Sequence, residues 1–416
     1  MSSQPDSNDT AADAISRRDL FAGAAGALGA AVIAGVTHTE TSAQQAPAPD
    51  TTHQQGAFAS DLGTRAPSVA ARRRVNPARQ VSRTPLQDLD GSITPSDLHF
   101  ERHHAGIPAI DPVKYTLLIH GLVAKPLVLT LADLRRYPSV TRIAFLECSG
   151  NFARNAAETT RPQELCGLTS QSEWTGVPLA LLLREAGIRS EAKWLLAEGQ
   201  DAAVMARSIP VEKAFDDALI AYAQNGEPLR PAQGFPARLF LPGWEGNANV
   251  KWLRRIEVGD QAYMTRDETS KYTESLKDGT ARQFSFIMDA RSVITAPNYP
   301  DKIQPGWLEV RGIAWSGRGK IARVDMSADG GKSWKPAQLQ GAVLPKAHTR
   351  FAYMFQWSGE EAELISRATD ETGYIQPTQH QLVEARGAST GYHLNPITGI
   401  RIKSDGSVVY RQETWA

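Results

Sequence analysis

One cysteine has the surroundings in this chain that best suit chemistry. Cys148 lies in the run Glu-Cys-Ser-Gly-Asn over residues 147–151, after strand-like residues and at the start of a Gly/Asn turn, with Arg154 shortly after it. A thiolate is a nucleophile and a soft metal ligand, and a turn leaves it able to reach either kind of partner. The sequence therefore makes Cys148 a candidate for metal binding or for covalent chemistry.

Four further clusters of polar and aromatic residues are candidates for chemistry. Each alone is weak, because histidine pairs, strand-end charges and loop tyrosines are common structural features. The clusters are Phe100-Glu101-Arg102-His103-His104, Glu198-Gly199-Gln200-Asp201, Gly234-Phe235-Pro236-Ala237-Arg238 followed by Asn249-Val250-Lys251, and Asp267–Thr273, which contains Tyr272.

Three other interpretations of these residues stay open. Cys148 and Cys166 are the only cysteines and could form a disulfide in an exported protein. His99, His103 and His104 could suggest zinc, but no fitting carboxylate, cysteine or further histidine completes a four-ligand site. Cys148 with His104 could also serve a thiol hydrolase.

The N-terminal residues have the composition of an export signal. Ser16-Arg17-Arg18-Asp19-Leu20-Phe21 leads into an uncharged Ala/Gly-rich stretch, Ala22–Val36, and Thr41-Ser42-Ala43 offers a small-residue cleavage site. This pattern resembles a twin-arginine signal peptide, and the apolar stretch is too short and too rich in glycine to span a membrane. We therefore expect a periplasmic protein that is exported already folded around a cofactor.

Length and charge narrow the class of protein. The chain has 416 residues, of which 45 are basic and 45 acidic, and this balance argues against general nucleic-acid binding. Without the signal, roughly 370 residues would remain, enough for two domains. The sequence has no Cys-x-x-Cys-His motif, so it carries no c-type haem and must pass electrons from any redox reaction to a partner.

The elements that must position the clusters fall into two units. In the first, strand-like runs such as Val140–Glu147 mix irregularly with short helices such as Pro178–Ala186, which favours an α+β domain. In the second, alternating runs such as Ile321–Ser327 are separated by Gly/Asp turns, which predicts an antiparallel β-sandwich. The predicted organisation is a signal at 1–43, an extended arm at 44–95, a catalytic domain at 96–260, a linker carrying Tyr272 at 261–284 and the sandwich at 285–410.

Together and in this order, the clusters resemble the sulfite oxidase family of molybdenum enzymes. The resemblance covers about residues 97–405 and includes the Phe-x-Arg-x-His-type segment and the Cys-x-Gly-Asn turn. It implies a mixed molybdopterin domain followed by an immunoglobulin-like β-sandwich through which members form homodimers. The other motifs that carry it are Ser172-Glu173-Trp174-Thr175-Gly176-Val177-Pro178-Leu179, Asn225-Gly226-Glu227-Pro228-Leu229, Gly234-Phe235-Pro236-Ala237-Arg238 and Val250-Lys251-Trp252-Leu253.

The resemblance implies a role for each matching residue. Cys148 would be the thiolate ligand of the molybdenum, and Tyr272 would stand beside its oxo group. Arg102, Arg154 and Tyr272 would hold the oxygens that develop on the substrate sulfur. Arg238 would bind the pterin phosphate. The full set that would hold the molybdopterin cofactor is Phe100, Arg102, His103, His104, Cys148, Asp201, Gln233, Arg238, Asn249, Val250 and Lys251.

The chain departs from the family pattern around its anion-binding positions. Gln233 stands where the family commonly has histidine, and His103 occupies an asparagine position. The arginine usually found five residues after the cysteine is replaced by Ala153, with Arg154 next to it. His393-Leu394-Asn395 occupies the place of another arginine. Fewer arginines would hold free sulfite less tightly, because each charge-assisted contact to an anion is worth about 1.5–3 kcal/mol.

These departures, the export signal and Asp267–Thr273 are most similar to the sulfane dehydrogenase, or SoxC, branch of the family. That resemblance implies oxygen-atom transfer to a sulfane sulfur carried by a separate SoxYZ-like protein, with electrons passed to a SoxD-like cytochrome c subunit. One alternative is a sulfite:cytochrome c dehydrogenase acting on free sulfite. A sulfoxide reductase of the same superfamily is disfavoured by the predicted sandwich, and a non-catalytic exported adhesion or carrier protein would bind no metal.

Overall fold

The computed structural model describes Gln55 and residues 58–66, 68–69 and 71–413. The predicted export signal at 1–43 lies outside these residues. The chain divides into two compact units, Met1–Arg65 and Ala66–Ala416. In the first unit, the Ser60 hydroxyl donates a hydrogen bond to the carbonyl of Leu62 at 3.0 Å. The second unit holds all the helices and strands of the described residues.

The first half of the second unit is a mixture of short helices and strands. Its elements are β1 (Arg74–Asn76), β2 (Val81–Arg83), β3 (Glu101–Arg102), β4 (Thr116–Gly121), β5 (Leu127–Thr130), α1 (Leu131–Leu134), β6 (Val140–Glu147), α2 (Pro162–Cys166), β7 (Thr169–Pro178), α3 (Leu179–Ala186), β8 (Trp194–Gly199), β9 (Ala206–Pro210), α4 (Val211–Asp216), β10 (Leu219–Gln224), β11 (Glu227–Pro228), β12 (Arg238–Phe240), β13 (Leu253–Gly259) and α5 (Arg266–Thr269). Single 3₁₀ turns lie at Pro77–Arg79, Leu86–Asp88, Ser96–Leu98 and Pro231–Gln233.

Two five-stranded sheets organise this half. One has the order β11-β10-β7-β6, with β12 also paired to β10, and the other has the order β5-β4-β13-β8-β9. In the second sheet β13 runs parallel to β4, while its other pairings are antiparallel. Leu117, Ile209 and Ile256 are fully buried in the core beneath this sheet. The mixture of pairings and short helices confirms the predicted α+β class.

The second half is an antiparallel β-sandwich. One sheet has the order β16-β17-β21-β20 and the other β19-β18-β22-β23-β24, and Ile294, Val324 and Leu364 belong to the core that the two sheets share. The predicted sandwich is therefore confirmed. The elements are β14 (Glu274–Ser275), β15 (Ala281–Arg282), β16 (Arg291–Ala296), β17 (Gly306–Trp315), β18 (Ile321–Ser327), β19 (Lys335–Pro336), β20 (Gln338–Gln340), β21 (Thr349–Trp357), β22 (Ala362–Asp370), α6 (Gln379–Arg386), β23 (Thr398–Ile402) and β24 (Val408–Tyr410).

Part of the predicted extended arm is folded. β1 and β2 form a small sheet with β3, and the chain that follows packs against the rest of the unit. Thr84 is fully buried, with its hydroxyl 2.6 Å from that of Ser170, and Leu86 is also buried. The prediction of an extended arm through residue 95 is therefore wrong over residues 74–88. The polar composition of this segment does not show that a few of its polar side chains form hydrogen bonds in the protein interior.

The turn that carries Cys148 is anchored from below by the residue before it. β6 pairs with β7 along its whole length and ends at Glu147, whose carboxylate is buried. This carboxylate accepts hydrogen bonds from Arg291 at 2.8 Å, from the indole of Trp315 at 2.6 Å and from the amide of Asn151 at 3.0 Å. Arg291 and Trp315 belong to the sandwich, so the sandwich fixes the end of the strand that presents Cys148.

Replacing Arg291 by methionine should destabilise the protein more than replacing both partners of the pair. The variant Arg291→Met leaves the Glu147 carboxylate buried without its cation, which costs about 3–5 kcal/mol, whereas Glu147→Gln/Arg291→Met leaves no buried charge. We therefore expect a large fall in the thermal midpoint for the single variant and partial recovery in the double variant, measured by calorimetry. A double variant less stable than the single one would contradict this role.

Candidate active site

Almost all the predicted site residues line one cavity. They come from loops at the ends of strands: Arg102 closes β3, Cys148 follows β6, and Tyr272 follows α5. The predicted residues that line it are Phe100, Arg102, His103, His104, Cys148, Asp201, Gln233, Arg238, Asn249, Val250, Lys251 and Tyr272. Segments far apart in the sequence therefore converge on one site.

The Cys148 thiol is free and half-buried at the wall of this cavity. The disulfide that the sequence left open is not formed, because Cys148 and Cys166 are both free. Burial raises the pKa of the Cys148 thiol above its ordinary value, while the backbone N–H of Gly150 and the charge of Arg102 act in the opposite direction. A buried thiol of this kind becomes a thiolate when a metal ion replaces its proton.

The backbone around Cys148 is fixed on both sides. Its N–H donates to the carbonyl of Leu168 at 3.0 Å, and the side-chain oxygen of Asn151 accepts from the N–H of Leu168 at 2.8 Å. Gly246 packs against the turn so closely that an added Cβ would lie 2.9 Å from the carbonyl oxygen of Glu147. Only glycine leaves room for this approach, and the turn is therefore held in one position.

One buried and one half-buried cation occupy the inner end of the cavity. The guanidinium of Arg238 donates to the carbonyls of Gln233 at 3.0 Å and Asn249 at 2.9 Å, while its Nε has no hydrogen-bond partner. The ammonium of Lys251 lies 2.7 Å from Nδ1 of His103. Within the described residues, neither cation forms an ion pair with a carboxylate.

Burial acts strongly on both of these cations. It lowers the pKa of Arg238 to about 9, and burial together with the nearby Arg238 charge holds the pKa of Lys251 well below its ordinary range. A charge in a dry environment is unfavourable unless an opposite charge compensates it. The pair therefore forms a site for an anion, and the planar donors of a guanidinium suit a phosphate.

The remaining polar groups at this end offer both donors and acceptors. Asp201 is buried, and one of its carboxylate oxygens accepts from the N–H of Met205 at 3.1 Å. The side-chain amide of Gln233 donates to the carbonyl of Phe100 at 2.9 Å. The Asn249 side chain holds the loop before it, accepting from the N–H of Leu241 at 2.6 Å. Asn249 therefore contributes to the site by fixing the shape of this loop and by accepting a hydrogen bond from Arg238 with its backbone carbonyl.

Tyr272 and His104 form a hydrogen-bonded pair next to Cys148. The phenol oxygen lies 2.7 Å from Nε2 of His104, and the Tyr272 backbone has a positive φ of 49°. Burial, followed by the charge of Arg102, lowers the pKa of His104 to about 4, and burial raises the pKa of Tyr272. The pair is therefore a neutral imidazole and a neutral phenol, and a phenol that accepts from Nε2 of His104 keeps its own O–H for a substrate oxygen.

A charged network beneath Tyr272 was not predicted from the sequence. The guanidinium of Arg207 is fully buried, lies 5.1 Å from the centre of the Tyr272 ring and donates to Glu268 at 2.7 Å and to Glu245 at 3.0 Å. Glu245 also lies 3.1 Å from Nε2 of His393. Burial alone would lower the pKa of His393, but the Glu245 carboxylate raises it above its ordinary value.

Arg154 does not line the cavity, so the structure does not bring it together with the other predicted site residues. Its guanidinium donates to the carbonyl of Ala388 at 3.2 Å. The turn directs Ala153 towards the core instead, where the N–H of Ala153 donates to the carbonyl of Leu165 at 3.0 Å. The sequence spacing suggested a longer turn, whereas the anchored Asn151 keeps it short.

Comparison with known proteins assigns the chain to a family. Residues 104–266 match the oxidoreductase molybdopterin binding domain, and residues 282–399 match the Mo-co oxidoreductase dimerisation domain. The chain is 33% identical to sulfite oxidase of Gallus gallus over 73% of its own length and 72% of the chicken protein. It is 30% identical to mitochondrial sulfite oxidase of Rattus norvegicus, again over 73% of this chain but over only 61% of the rat protein. The chain belongs to the sulfite oxidase family of molybdenum oxidoreductases.

A solved structure narrows this assignment. A chain of the sulfane dehydrogenase SoxCD from Paracoccus pantotrophus is 43% identical, with a TM-score of 0.80 over 88% of this chain and 100% of that chain. The protein is thus a SoxC-like member of the family, and the resemblance noted in the sequence is confirmed. Among the described residues, no helix is long and apolar enough to cross a membrane.

The residues present fit the molybdenum cofactor that the family implies. Cys148 would ligate the metal, and Arg238 and Lys251 would receive the phosphate that their unpaired charges require. Asp201 and Gln233 would accept from and donate to the polar edge of the pterin. Arg102, His104 and Tyr272 surround the space next to Cys148 that a substrate would enter.

Removing the Arg238 charge should weaken cofactor retention without weakening the fold. In Arg238→Met we expect the cofactor to bind about ten- to hundredfold more weakly, because one charge-assisted contact is lost. The measurement is the amount of molybdenum and pterin that each chain retains after dialysis. The cofactor-free variant should melt close to the cofactor-free wild type, since removal of an uncompensated buried charge offsets the lost hydrogen bonds to the carbonyls of Gln233 and Asn249. The control is Arg254→Met, which removes a half-exposed arginine paired with Glu198. Full retention in Arg238→Met would contradict the assignment.

Proposed function

We propose that the protein oxidises the sulfane sulfur of a carrier-bound substrate in the periplasm and passes the electrons to a cytochrome c subunit. The class of reaction follows from the family and from the fit of the site to the cofactor. The substrate, the partners and the compartment are the proposal. The compartment is supported by the twin-arginine pattern over residues 1–43, and the cytochrome partner by similarity to SoxCD.

The shape of the opening above Cys148 carries the substrate proposal. An outer vestibule of about 540 Å³, open to solvent, meets the inner cavity at Arg102, His103, His104, Cys148 and Tyr272. Free sulfite is a small anion and needs no entrance of this size. A sulfur atom at the end of a protein or peptide arm does need one, because the arm must enter with it.

The site also has fewer cations to bind free sulfite than the family pattern would supply. Arg102 faces the site, but Arg154 lies outside it, and His393 is committed to Glu245. Asn395 donates its amide to the carbonyl of Ala290 at 2.9 Å and does not line either cavity. Affinity for the substrate would therefore depend more on the carrier than on the anion.

The residues around Cys148 supply positioning and charge stabilisation. When bound, the cofactor supplies oxygen-atom transfer and accepts the electrons. Each oxygen that reaches the sulfur derives from water, with release of two electrons and two protons. Arg102 would bind the oxygens that develop on sulfur, and the phenol of Tyr272 would donate a second hydrogen bond while His104 holds it in place.

Two further associations belong to the proposal. A SoxYZ-like carrier protein would bring the sulfane sulfur on a cysteine, and a SoxD-like cytochrome c subunit would accept single electrons, since the sequence contains no haem-attachment motif. The match to the dimerisation domain supports a homodimer formed through the sandwich. The competing function is a sulfite:cytochrome c dehydrogenase, supported by the similarity to sulfite oxidases.

The two functions differ in their preferred substrate. With cytochrome c as acceptor, we expect kcat/KM for a carrier cysteine bearing a sulfane sulfur to exceed that for free sulfite by at least about tenfold. The control is the same carrier with its cysteine alkylated, which should give no turnover. A preference for free sulfite, unaffected by the carrier, would reject the proposed substrate in favour of the sulfite dehydrogenase.

A further inference from the structure

The outer vestibule has an excess of positive charge that the reaction at Cys148 does not explain. Besides Arg102, it is lined by Arg79, Arg83 and Lys271. No carboxylate lines this cavity, and none of these cations takes part in an ion pair within the part of the chain that the structure describes. A concave surface lined by one sign of charge concentrates ions of the opposite sign.

Arg83 is the innermost of these additional cations. It is half-buried, and one terminal guanidinium nitrogen, Nη1, is buried without a hydrogen-bond partner. Burial lowers the pKa of Arg83, while the thiols of Cys166 and Cys148 act to raise it. Arg83 and Cys148 line the same vestibule, which places this cation close to the reaction site.

The segment that carries Arg83 is held rigidly. The following residue, Thr84, is fully buried, donates its N–H to the carbonyl of Gly167 at 2.8 Å and donates its hydroxyl to the carbonyl of Leu98 at 3.1 Å. β1 pairs with β2 through Arg74 and Arg83. Arg83 therefore stands on a fixed edge of the vestibule, and its donors are available for an incoming ligand.

Arg79 and Lys271 are the other two additional cations that line the vestibule, and both are more exposed than Arg83. Arg79 ends a 3₁₀ turn, and its backbone N–H donates to the side-chain oxygen of Asn76 at 3.2 Å. Lys271 immediately precedes Tyr272, the residue beside Cys148. The three cations thus come from the folded part of the predicted arm and from the predicted linker.

We propose that Arg79, Arg83 and Lys271 form an outer binding site for a tetrahedral sulfur oxyanion. The ligand is either a free oxyanion such as sulfate or the sulfonate group at the end of a carrier-borne cysteine. The site would hold the anionic product after it leaves Arg102 and Tyr272, before it reaches solvent. That the anion is a sulfur species rests on the proposed function. That the site prefers anions rests only on the charges of its residues.

Neither matched family domain accounts for the two arginines of this site. The match to the molybdopterin binding domain begins at residue 104, after both Arg79 and Arg83. The outer site is therefore built by a segment that precedes the matched domain.

Anion binding to the resting holoenzyme tests the inference without turnover. Calorimetric titration with sulfate at low ionic strength should show Kd raised about tenfold by Arg83→Gln and about two- to fivefold by the exposed Arg79→Gln. The control is Arg142→Gln, an exposed arginine on β6 about 20 Å along the strand from Cys148. It removes the same charge and should leave Kd unchanged. Crystals soaked in selenate should show the anion at Arg83.

A second titrant distinguishes the two sources of the anion. An S-sulfonated cysteine peptide is titrated in parallel with sulfate. Weakened binding of both ligands assigns the site to free oxyanions, and weakened binding of the peptide alone assigns it to the carrier-borne sulfonate. If the double variant Arg79→Gln/Arg83→Gln binds both ligands as tightly as the wild type does, the inference is overturned. Because no acceptor or turnover is involved, a failed substrate prediction would leave this result standing.

Folding defects are separated from loss of binding by a conservative variant. Arg83→Lys keeps the charge on the same rigid edge, and it should retain sulfate affinity within about threefold while losing the bidentate geometry. Molybdenum content and the thermal midpoint are measured for each variant. If Arg83→Lys loses binding as fully as Arg83→Gln while both remain folded and loaded, the charge-based account is wrong.

Discussion

The buried carboxylate of Glu147 connects the strand that presents Cys148 to the β-sandwich, and the geometry of the whole site depends on this connection. β6 delivers the cysteine, but Arg291 and Trp315 fix the end of that strand from the other side. The amide of Asn151 closes the turn on the same carboxylate. A thiolate ligand must point in one direction to bind a metal, and here that direction is set by contacts between the two halves of the unit.

The interior uses buried cations in two different ways. Arg207 is paired with Glu245 and Glu268, so its charge is compensated and its contribution is to hold the loop that carries Tyr272. Arg238 and Lys251 have no carboxylate partners among the described residues, so their charges remain available for a bound phosphate. Without the cofactor, the protein would keep the ion pairs of Arg207, but the charges of Arg238 and Lys251 would be left uncompensated. Binding of the cofactor and stability of the loaded protein are therefore linked.

The sequence predicted most of the site because its motifs resemble those of the sulfite oxidase family, and several of these motifs lie at strand ends. The Cys-x-Gly-Asn turn, the Phe-x-Arg-x-His-type segment and Gly-Phe-Pro-x-Arg all mark such positions, and the strands Val140–Glu147 and Ile321–Ser327 have the predicted bounds. Alternation and turn residues are local properties, so they can be read without knowledge of the tertiary contacts. The α+β class and the sandwich followed from the same signals.

The residues that sequence reasoning missed lack such local signals. Arg207 lies within strand β9, where its burial depends on Glu245 from a distant loop and on Glu268 from α5. The folded part of the arm depends on the partners of Thr84, which are equally distant. Arg154 lies outside the cavity for a local reason, because spacing alone cannot show how tightly a turn closes. Long-range polar contacts were the information that the sequence did not provide.

The central claim is that Cys148 is a ligand of a molybdenum cofactor, and metal analysis of natively exported protein tests it most directly. The account predicts about one molybdenum per chain in the wild type, as expected for a single-cofactor site. It predicts loss of molybdenum in Cys148→Ser and full retention in Cys166→Ser, the buried cysteine away from the cavity. Wild-type protein without molybdenum from a cofactor-competent host, or Cys148→Ser protein with a full complement, would contradict the account.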